Sequence, residues 1–167
     1  GGGDGMIRKV AGNDMSWTVQ NEVKVRGRVV SLSMSPDGVE MLAGTDAGYV
    51  YRVLTEDLGV SQYSSSHVRP VSAVAFGSRS DVFATCGTDG RVCVWDLSDY
   101  SVLAQATHAA AGLCVAFDDP QESVNVVSGW DDGHVRCHRA SAGAWDQLVW
   151  EIPKAHREGC TAIASSS

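Results

Sequence analysis

A tight glycine turn that recurs at a nearly constant interval constrains the fold of this chain more than any other feature. The turn glycines are Gly5, Gly48, Gly90 and Gly133, and consecutive members lie 43, 42 and 43 residues apart. Aspartate stands one or two positions before each of them. A period of about 40–45 residues with such turns is typical of a β-propeller, in which each repeat forms one four-stranded blade. The chain is therefore predicted to be all-β.

The residues around these turns predict where the blades lie. Short β-branched runs bounded by Gly, Asp, Ser and Pro indicate the strands. We number the predicted blades one to five; the first and the last are partial, and their ranges are 6–23, 29–64, 71–107, 112–152 and 160–165. This is an open arc of three complete blades, whose end faces would be apolar and exposed. The sequence thus indicates part of a longer protein or of a larger assembly, with a four-bladed ring lacking one strand as the alternative.

Composition excludes several classes of protein. The 167 residues include 20 acidic and 13 basic ones, for a net charge of −7, which argues against nucleic acid as the main partner. The sequence contains no apolar run of about 18 residues, the length that a membrane-spanning helix needs. Its first residues also lack the basic and apolar stretches of a secretory signal. Five scattered cysteines without a CxxC pair predict reduced thiols in an intracellular protein.

One local group departs from the acidic balance. Basic residues are concentrated near the start of the chain, at Arg8, Lys9, Lys24, Arg26 and Arg28. Such a group is most often a solvated surface. It is also the candidate surface for an acidic partner, because opposite charges speed and orient docking.

Blade three carries a set of polar residues that predicts a buried hydrogen-bonded tetrad. His67 precedes the blade, Thr85 lies on its second strand, Asp89 in the following turn and Trp95 on the third strand. The carboxylate can accept from the imidazole, the imidazole can bond the hydroxyl, and the hydroxyl can accept from the indole. Buried polar groups need such partners.

The same set recurs in the next blade, which favours a structural role over a catalytic one. His108, Ser128, Asp132 and His138 occupy the matching positions, with histidine replacing the tryptophan. A Ser/Thr-His-Asp catalytic triad is the alternative for either set. However, the nucleophile would lie within a sheet, and a catalytic site has no reason to repeat. We therefore predict no enzymatic activity.

Cofactor and metal sites are not predicted. On a strand, His134 and His138 would share a face about 13 Å apart, which is too far to bind one ion, while Cys137 points to the other face. The opening GGGDG has neither the Lys-Ser/Thr nor the helix of a phosphate-binding loop.

Specific strings add a family resemblance to this interpretation. The tetrad pattern and the Trp95-Asp96 dipeptide resemble the WD-repeat family. In addition, SDVFATCGTDGRVCVWD (80–96), VVSGWDDGHVR (126–136) and AHREGCTAIASSS (155–167) are similar to blades of WD-repeat proteins of motile cilia.

The resemblance implies a function that composition and spacing do not. It implies tandem propellers inside the axonemal doublet microtubules, in contact with tubulin and other inner proteins, and hence a location in the cytoskeleton of a cilium or flagellum. A related centriolar WD-repeat protein and a soluble adaptor that presents peptides are the alternatives. A WD-repeat fold by itself does not identify a partner.

Overall fold

The structure is a computed structural model that describes residues 1–65, 67–77, 81–118, 124–140 and 148–165. Fourteen strands lie in these ranges. In chain order they are β1 Met6–Asn13, β2 Ser16–Lys24, β3 Val29–Met34, β4 Glu40–Thr45, β5 Tyr49–Leu54, β6 Val60–Ser65, β7 Val71–Phe76, β8 Val82–Gly87, β9 Arg91–Asp96, β10 Val102–Thr107, β11 Gly112–Asp118, β12 Val124–Trp130, β13 Val135–Ala140 and β14 Leu148–Ile152.

The strands form four separate antiparallel sheets that match the predicted blades. Blade one is the hairpin β1–β2, and blades two, three and four contain β3–β6, β7–β10 and β11–β14, each with sequential neighbours paired. The described residues include no helix, and so none long and apolar enough to cross a membrane. The predicted all-β class and the open arc of blades are confirmed.

The turn glycines recur because of both conformation and close approach. Gly90 has a φ of +78°, a region that is costly for residues with a Cβ. A Cβ at this position would also lie only 2.2 Å from the backbone oxygen of His108, which leads into the next blade. Gly133 has the same conformation, and its Cβ would meet the oxygen of His156 at 2.2 Å. Glycine is therefore required once per repeat, because the turn packs against the backbone that leads into the following blade.

The hydrophobic core lies mainly at the junctions between blades. Phe83 stacks on Trp95 with ring centroids 5.8 Å apart, and their cluster reaches back to Leu42 of blade two. A second cluster joins Val94 of blade three to Phe117 of blade four. Burying these side chains against the neighbouring sheet, at roughly 1.5–3 kcal/mol each, is what ties one blade to the next.

Blade two has an apolar face that its neighbour, the two-stranded blade one, leaves partly exposed. Leu32 and Met34 of β3 are 41% and 58% exposed, whereas Val74 at the position matching Leu32 in blade three is 7% exposed. The matching strand of blade three lies against blade two, while among the described residues the sheet of blade one consists of β1 and β2. The expected exposure of an apolar end face is seen at this end of the arc.

The end of the chain differs from the sequence prediction. Residues 160–165 were expected to form a strand of a fifth blade, but they are irregular. Cys160 instead donates its backbone N–H to the oxygen of Trp130 at 2.9 Å. A strand needs a hydrogen-bonded neighbour in its own sheet, and this segment lies on blade four without one among the described residues. The prediction for blade four also covered residues 119–123 and 141–147, which lie outside the described part of the chain.

Candidate functional site

The polar residues predicted for blade three are brought together in one buried chain. His67 Nδ1 lies 2.9 Å from Asp89 Oδ1, and His67 Nε2 lies 2.9 Å from Thr85 Oγ1. The indole N–H of Trp95 donates to the same hydroxyl at 3.0 Å. Asp89 also accepts from the backbone N–H of Val68 at 3.1 Å. The chain thus connects the loop before the blade to its second and third strands.

One arrangement of protons satisfies the hydrogen-bonding groups of all four residues in this buried polar chain. Asp89 accepts from the Nδ1–H of His67, which leaves Nε2 as an acceptor for the Thr85 hydroxyl. That hydroxyl in turn accepts from the indole of Trp95. Thr85 is 0% exposed and His67 is 2% exposed. A hydroxyl so enclosed can position the imidazole, but a substrate has no route to it.

Gly87 makes room for this chain. A Cβ at Gly87 would lie 2.5 Å from His67 Nδ1 and 2.9 Å from Asp89 Oδ1. Both distances are shorter than side-chain contacts allow. The imidazole therefore reaches the turn carboxylate only because the third residue before the turn glycine Gly90 has no side chain.

Blade four fills the same position with Trp130, which changes the network. Trp130 lies three residues before Gly133, as Gly87 does before Gly90. Its indole N–H donates to Ser128 Oγ at 2.9 Å, and that hydroxyl donates to the backbone oxygen of Arg136 at 3.2 Å. The rings of Trp130 and His108 form a T-shaped pair, with centroids 4.6 Å apart. The serine hydroxyl is therefore satisfied without a histidine.

The predicted second tetrad is consequently divided into separate pairs. His108 Nε2 lies 3.0 Å from His138 Nε2. Asp132 accepts from the guanidinium of Arg136 at 2.8 Å, and Ser128 bonds Trp130. Trp130 takes up the space beside the turn and Arg136 binds the carboxylate, so Ser128 and Asp132 each bond a residue outside the predicted tetrad.

Arg136 is the centre of a charged network on the surface of blade four. Its Nε donates to Glu151 at 2.8 Å, and Glu151 also contacts His134 Nδ1 at 2.8 Å. The hydrogen bonds from His134 and Arg136 lower the pKa of Glu151. Burial alone would raise the pKa of Asp132, but the bonds from Arg136 and the His134 backbone outweigh it and lower that pKa.

The candidate basic surface is largely engaged with groups of the chain itself. Arg8 pairs with Asp4 at 2.7 Å and with Glu22 at 3.1 Å, and Arg28 pairs with Asp46 at 2.8 Å. Further members of the group have neighbours too: Lys9 donates to the backbone oxygens of Thr55 and Glu56, and Arg26 lies over the ring of Tyr49. Lys24 and Arg26 are exposed at the end of blade one. The positive charge offered to a partner is therefore smaller than the sequence suggests.

Sequence reasoning missed an exposed apolar patch on the hairpin of blade one. Its members are Met15, which is 97% exposed, Trp17, which is 70% exposed, and Val10 and Val19, both 53% exposed. Trp17 lies opposite Gly12 in the β1–β2 register. The alternation of Trp17 and Val19 along one strand was the available signal, but only the structure shows that nothing among the described residues covers this face.

Comparison with known proteins agrees with this geometry. The family model "WD domain, G-beta repeat" matches residues 60–96, which include the complete polar chain of blade three. The chain therefore contains a WD repeat. Cilia- and flagella-associated protein 52 of mouse is 28% identical over 153 residues, which are 91% of the chain and 24% of that protein. The human protein of the same name is 28% identical over 87% of the chain and 23% of its own length.

A second WD-repeat protein is similar over nearly the same span. WD repeat-containing protein 90 of mouse is 31% identical over 155 residues, which are 89% of the chain and 8% of that protein. This WD-repeat chain thus spans about a quarter of the length of the ciliary relatives, and less of the second one. The resemblance drawn from residues 80–96, 126–136 and 155–167 is confirmed.

Solved structures show the same fold. The computationally designed Ika8 protein superposes with a TM-score of 0.78 at 19% identity, covering 99% of the chain and 48% of that protein. The designed Ika4 protein gives a TM-score of 0.71 at 20% identity, with 86% of the chain and 82% of that protein covered. At these identities the match concerns the fold of the WD-repeat chain and not its function.

Proposed function

We propose that this chain is part of a non-catalytic scaffold of motile cilia that lies inside the wall of the axonemal doublet microtubules. The similarity to cilia- and flagella-associated protein 52, which extends over 91% of the chain for the mouse protein, carries the proposal. In this role the blades present surfaces to tubulin and to other proteins of the microtubule interior. The scaffold belongs to the cytoskeleton of a cilium or flagellum.

The buried polar chain of blade three supports a non-catalytic role. Its hydroxyl, on Thr85, is fully enclosed, and the Trp95 indole already donates to it. A catalytic nucleophile needs space for a substrate and donors for the developing negative charge. In the scaffold these four residues hold the loop before blade three to its sheet.

Two surfaces of blade one, at opposite ends of its hairpin, are the candidates for contact with partners. Lys24 and Arg26 are exposed and could face an acidic protein such as tubulin. The turn end of the hairpin, at the other end of β2, carries Trp17, and an exposed tryptophan is a frequent anchor of protein interfaces.

Localisation tests the ciliary role. The full-length protein is tagged in ciliated cells, and the cells are then extracted with detergent and high salt. A scaffold inside the doublet wall remains with the axoneme after both treatments. A diffuse signal that is lost with the membrane would overturn the proposal and favour a soluble WD-repeat adaptor.

Charge reversal tests the candidate surface separately. Lys24→Glu combined with Arg26→Glu is expected to reduce retention on axonemes while the melting temperature stays unchanged, because both side chains are exposed. Arg157→Glu, an exposed substitution at the other end of the chain, is the matched control and should retain binding. Equal retention of all three proteins would exclude Lys24 and Arg26 as a contact surface without contradicting the ciliary location.

A further inference from the structure

One position at each blade junction decides how the neighbouring strands approach each other. It is the fourth residue before the turn glycine, and it is Gly44 in blade two, Cys86 in blade three and Gly129 in blade four. Each lies on the second strand of its blade, between the first strand of the same blade and the segment that begins the next. We call it the junction position.

The junction space is filled differently in each blade. In blade two, a Cβ on Gly44 would meet Ser31 Oγ at 2.5 Å and Val71 Cγ1 at 2.8 Å, so the two flanking side chains occupy the space. In blade three the junction residue itself, Cys86, fills it, and Gly112 of the next blade lies opposite without a side chain. The space at each junction is thus filled by side chains from different strands.

In blade four, both flanking residues are cysteines. A Cβ on Gly129 would lie 2.6 Å from the sulfur of Cys114 and 2.7 Å from the sulfur of Cys160. The two thiols therefore share the space of one missing side chain. The Cys114 Sγ–H also donates to the backbone oxygen of Cys160 at 3.1 Å. Both residues are reduced and buried.

We propose that Cys114 and Cys160 are a disulfide-forming pair that fastens the segment after blade four to strand β11. Three observations support it: both sulfurs converge on one point, the glycine beneath them leaves room, and the backbones of both residues are held beside β12. Cys114 pairs with Gly129, while Cys160 donates its N–H to Trp130 at 2.9 Å. The partner reagent is a small-molecule disulfide such as oxidised glutathione.

The reaction proceeds by two thiol–disulfide exchanges. Cys160 loses its proton and attacks one sulfur of the small disulfide, forming a mixed disulfide and releasing one small thiol. Cys114 then loses its proton and attacks the sulfur of Cys160, which releases the second small thiol and forms the Cys114–Cys160 bond. The protein loses two protons and two electrons, and the reagent gains them.

Access to the pair requires local opening, and the fold indicates which side opens. Burial, together with the neighbouring Cys160, raises the pKa of the Cys114 thiol to about 12, so this thiol is unreactive in the closed state. Cys160 lies in the irregular segment, whose flanking residues Thr161 and Glu158 are exposed. Detachment of this segment exposes Cys160 first, while Cys114 remains in its strand. The disulfide therefore forms only after the segment has detached, and it prevents the segment from detaching again.

The test is oxidation of the folded full-length protein followed by peptide mass mapping. Treatment with oxidised glutathione is expected to give a cross-linked Cys114–Cys160 peptide, while Cys86, Cys93 and Cys137 stay free. The oxidised protein should melt roughly 5–10 °C above the reduced one, because the bond closes a long loop in the unfolded state. Added dithiothreitol should reverse both changes.

Two variants separate the proposal from general reactivity of the cysteines. Cys160→Ser should abolish the cross-link and the rise in melting temperature, whereas Cys93→Ser should preserve both. Gly129→Ala keeps both thiols but fills the space between them, and we expect at least tenfold slower cross-linking than in the unsubstituted protein. Random pairing with Cys86 or Cys137, or a folded protein that forms only mixed disulfides with glutathione, would overturn the proposal.

Discussion

Blades three and four bury a hydroxyl at the same position but satisfy it from different strands. In blade three the indole comes from Trp95 on β9, and the hydroxyl of Thr85 continues the chain to His67. In blade four the indole comes from Trp130 at the end of β12, and the hydroxyl of Ser128 donates to a backbone oxygen instead. The two arrangements differ in one residue beside the turn, which is glycine in blade three and tryptophan in blade four.

The difference shows that a repeat can keep its fold while it exchanges its polar interior. The network of blade three connects three parts of the repeat and is almost fully enclosed. The corresponding residues of blade four are spread over a histidine pair, a serine–tryptophan pair and a surface ion pair. Blade two uses apolar residues, since Val25 and Ala43 stand at its histidine and hydroxyl positions. The sheet requires that buried polar groups be satisfied, and it does not require one particular set.

The largest expected effect comes from introducing into blade three the tryptophan that blade four has beside its turn. Gly87→Trp places a side chain where a Cβ alone would lie 2.5 Å from His67 Nδ1. Overpacking and loss of the buried chain should lower the free energy of unfolding by at least about 3 kcal/mol. Urea denaturation measures the change. Gly3→Ala, at an exposed glycine with only one distant neighbour, should be nearly neutral.

The reverse exchange, which gives blade four the residues of blade three, tests the same comparison between the two blades. If Trp130 alone displaces the histidine from the turn, Trp130→Gly and His138→Trp should compensate each other. We expect the double variant to be more stable than the sum of the single changes by about 1 kcal/mol or more. Strict additivity in a double-mutant cycle would show that the two positions are independent, and the comparison between the blades would fail.

Removal of the turn carboxylate should affect the two blades unequally. Asp89 has a side chain that is 3% exposed and holds both His67 and the Val68 N–H. Asp89→Ala leaves the buried Nδ1–H of His67 without its acceptor and should cost about 1–3 kcal/mol. Asp132 has a side chain that is 33% exposed and is bound mainly by Arg136, so Asp132→Ala should cost less than about 1 kcal/mol. Equal losses, measured by thermal denaturation, would contradict the different roles.

Removal of the indole donor should affect the two blades equally. Trp95→Phe keeps an aromatic ring beside Phe83 but withdraws the N–H from Thr85. Trp130→Phe does the same to Ser128. Each substitution should lower the free energy of unfolding by about 0.5–1.5 kcal/mol. An unchanged stability for Trp130→Phe would show that the indole of blade four is not the functional counterpart of Trp95.

The smallest effect concerns pH and the charged surface of blade four. The pKa of Glu151 lies below its ordinary value of 4.5, so the folded state binds fewer protons than the unfolded state near that pH. The stabilisation is therefore present above this value and is lost as pH falls through the lower folded pKa. Glu151→Gln should flatten this part of the pH profile of the urea midpoint. A profile identical to that of the unsubstituted protein would show that the ion pairs are fully screened by solvent.

The sequence determined the features that depend on local chemistry and on the period. The turn glycines, the strand positions within a few residues and the four members of the blade-three chain all follow from spacing and residue type. When blades three and four are aligned on Gly90 and Gly133, Trp130 occupies the position of Gly87. The sequence therefore contained a signal that the polar network of blade four differs. It was not recognised, because identity of residue types at four positions does not reveal a side chain that occupies the space between them.

Tertiary structure alone decided which groups meet across blades and which surfaces are left open. The convergence of Cys114 and Cys160 above Gly129, the ion pairs of Arg8 and Arg28 and the exposure of Trp17 depend on distances between segments far apart in the chain. Residues 160–165 have the composition of a strand, yet they are irregular, because a strand exists only beside a hydrogen-bonded neighbour. Periodicity specifies a blade, while packing between blades specifies what each polar group can reach.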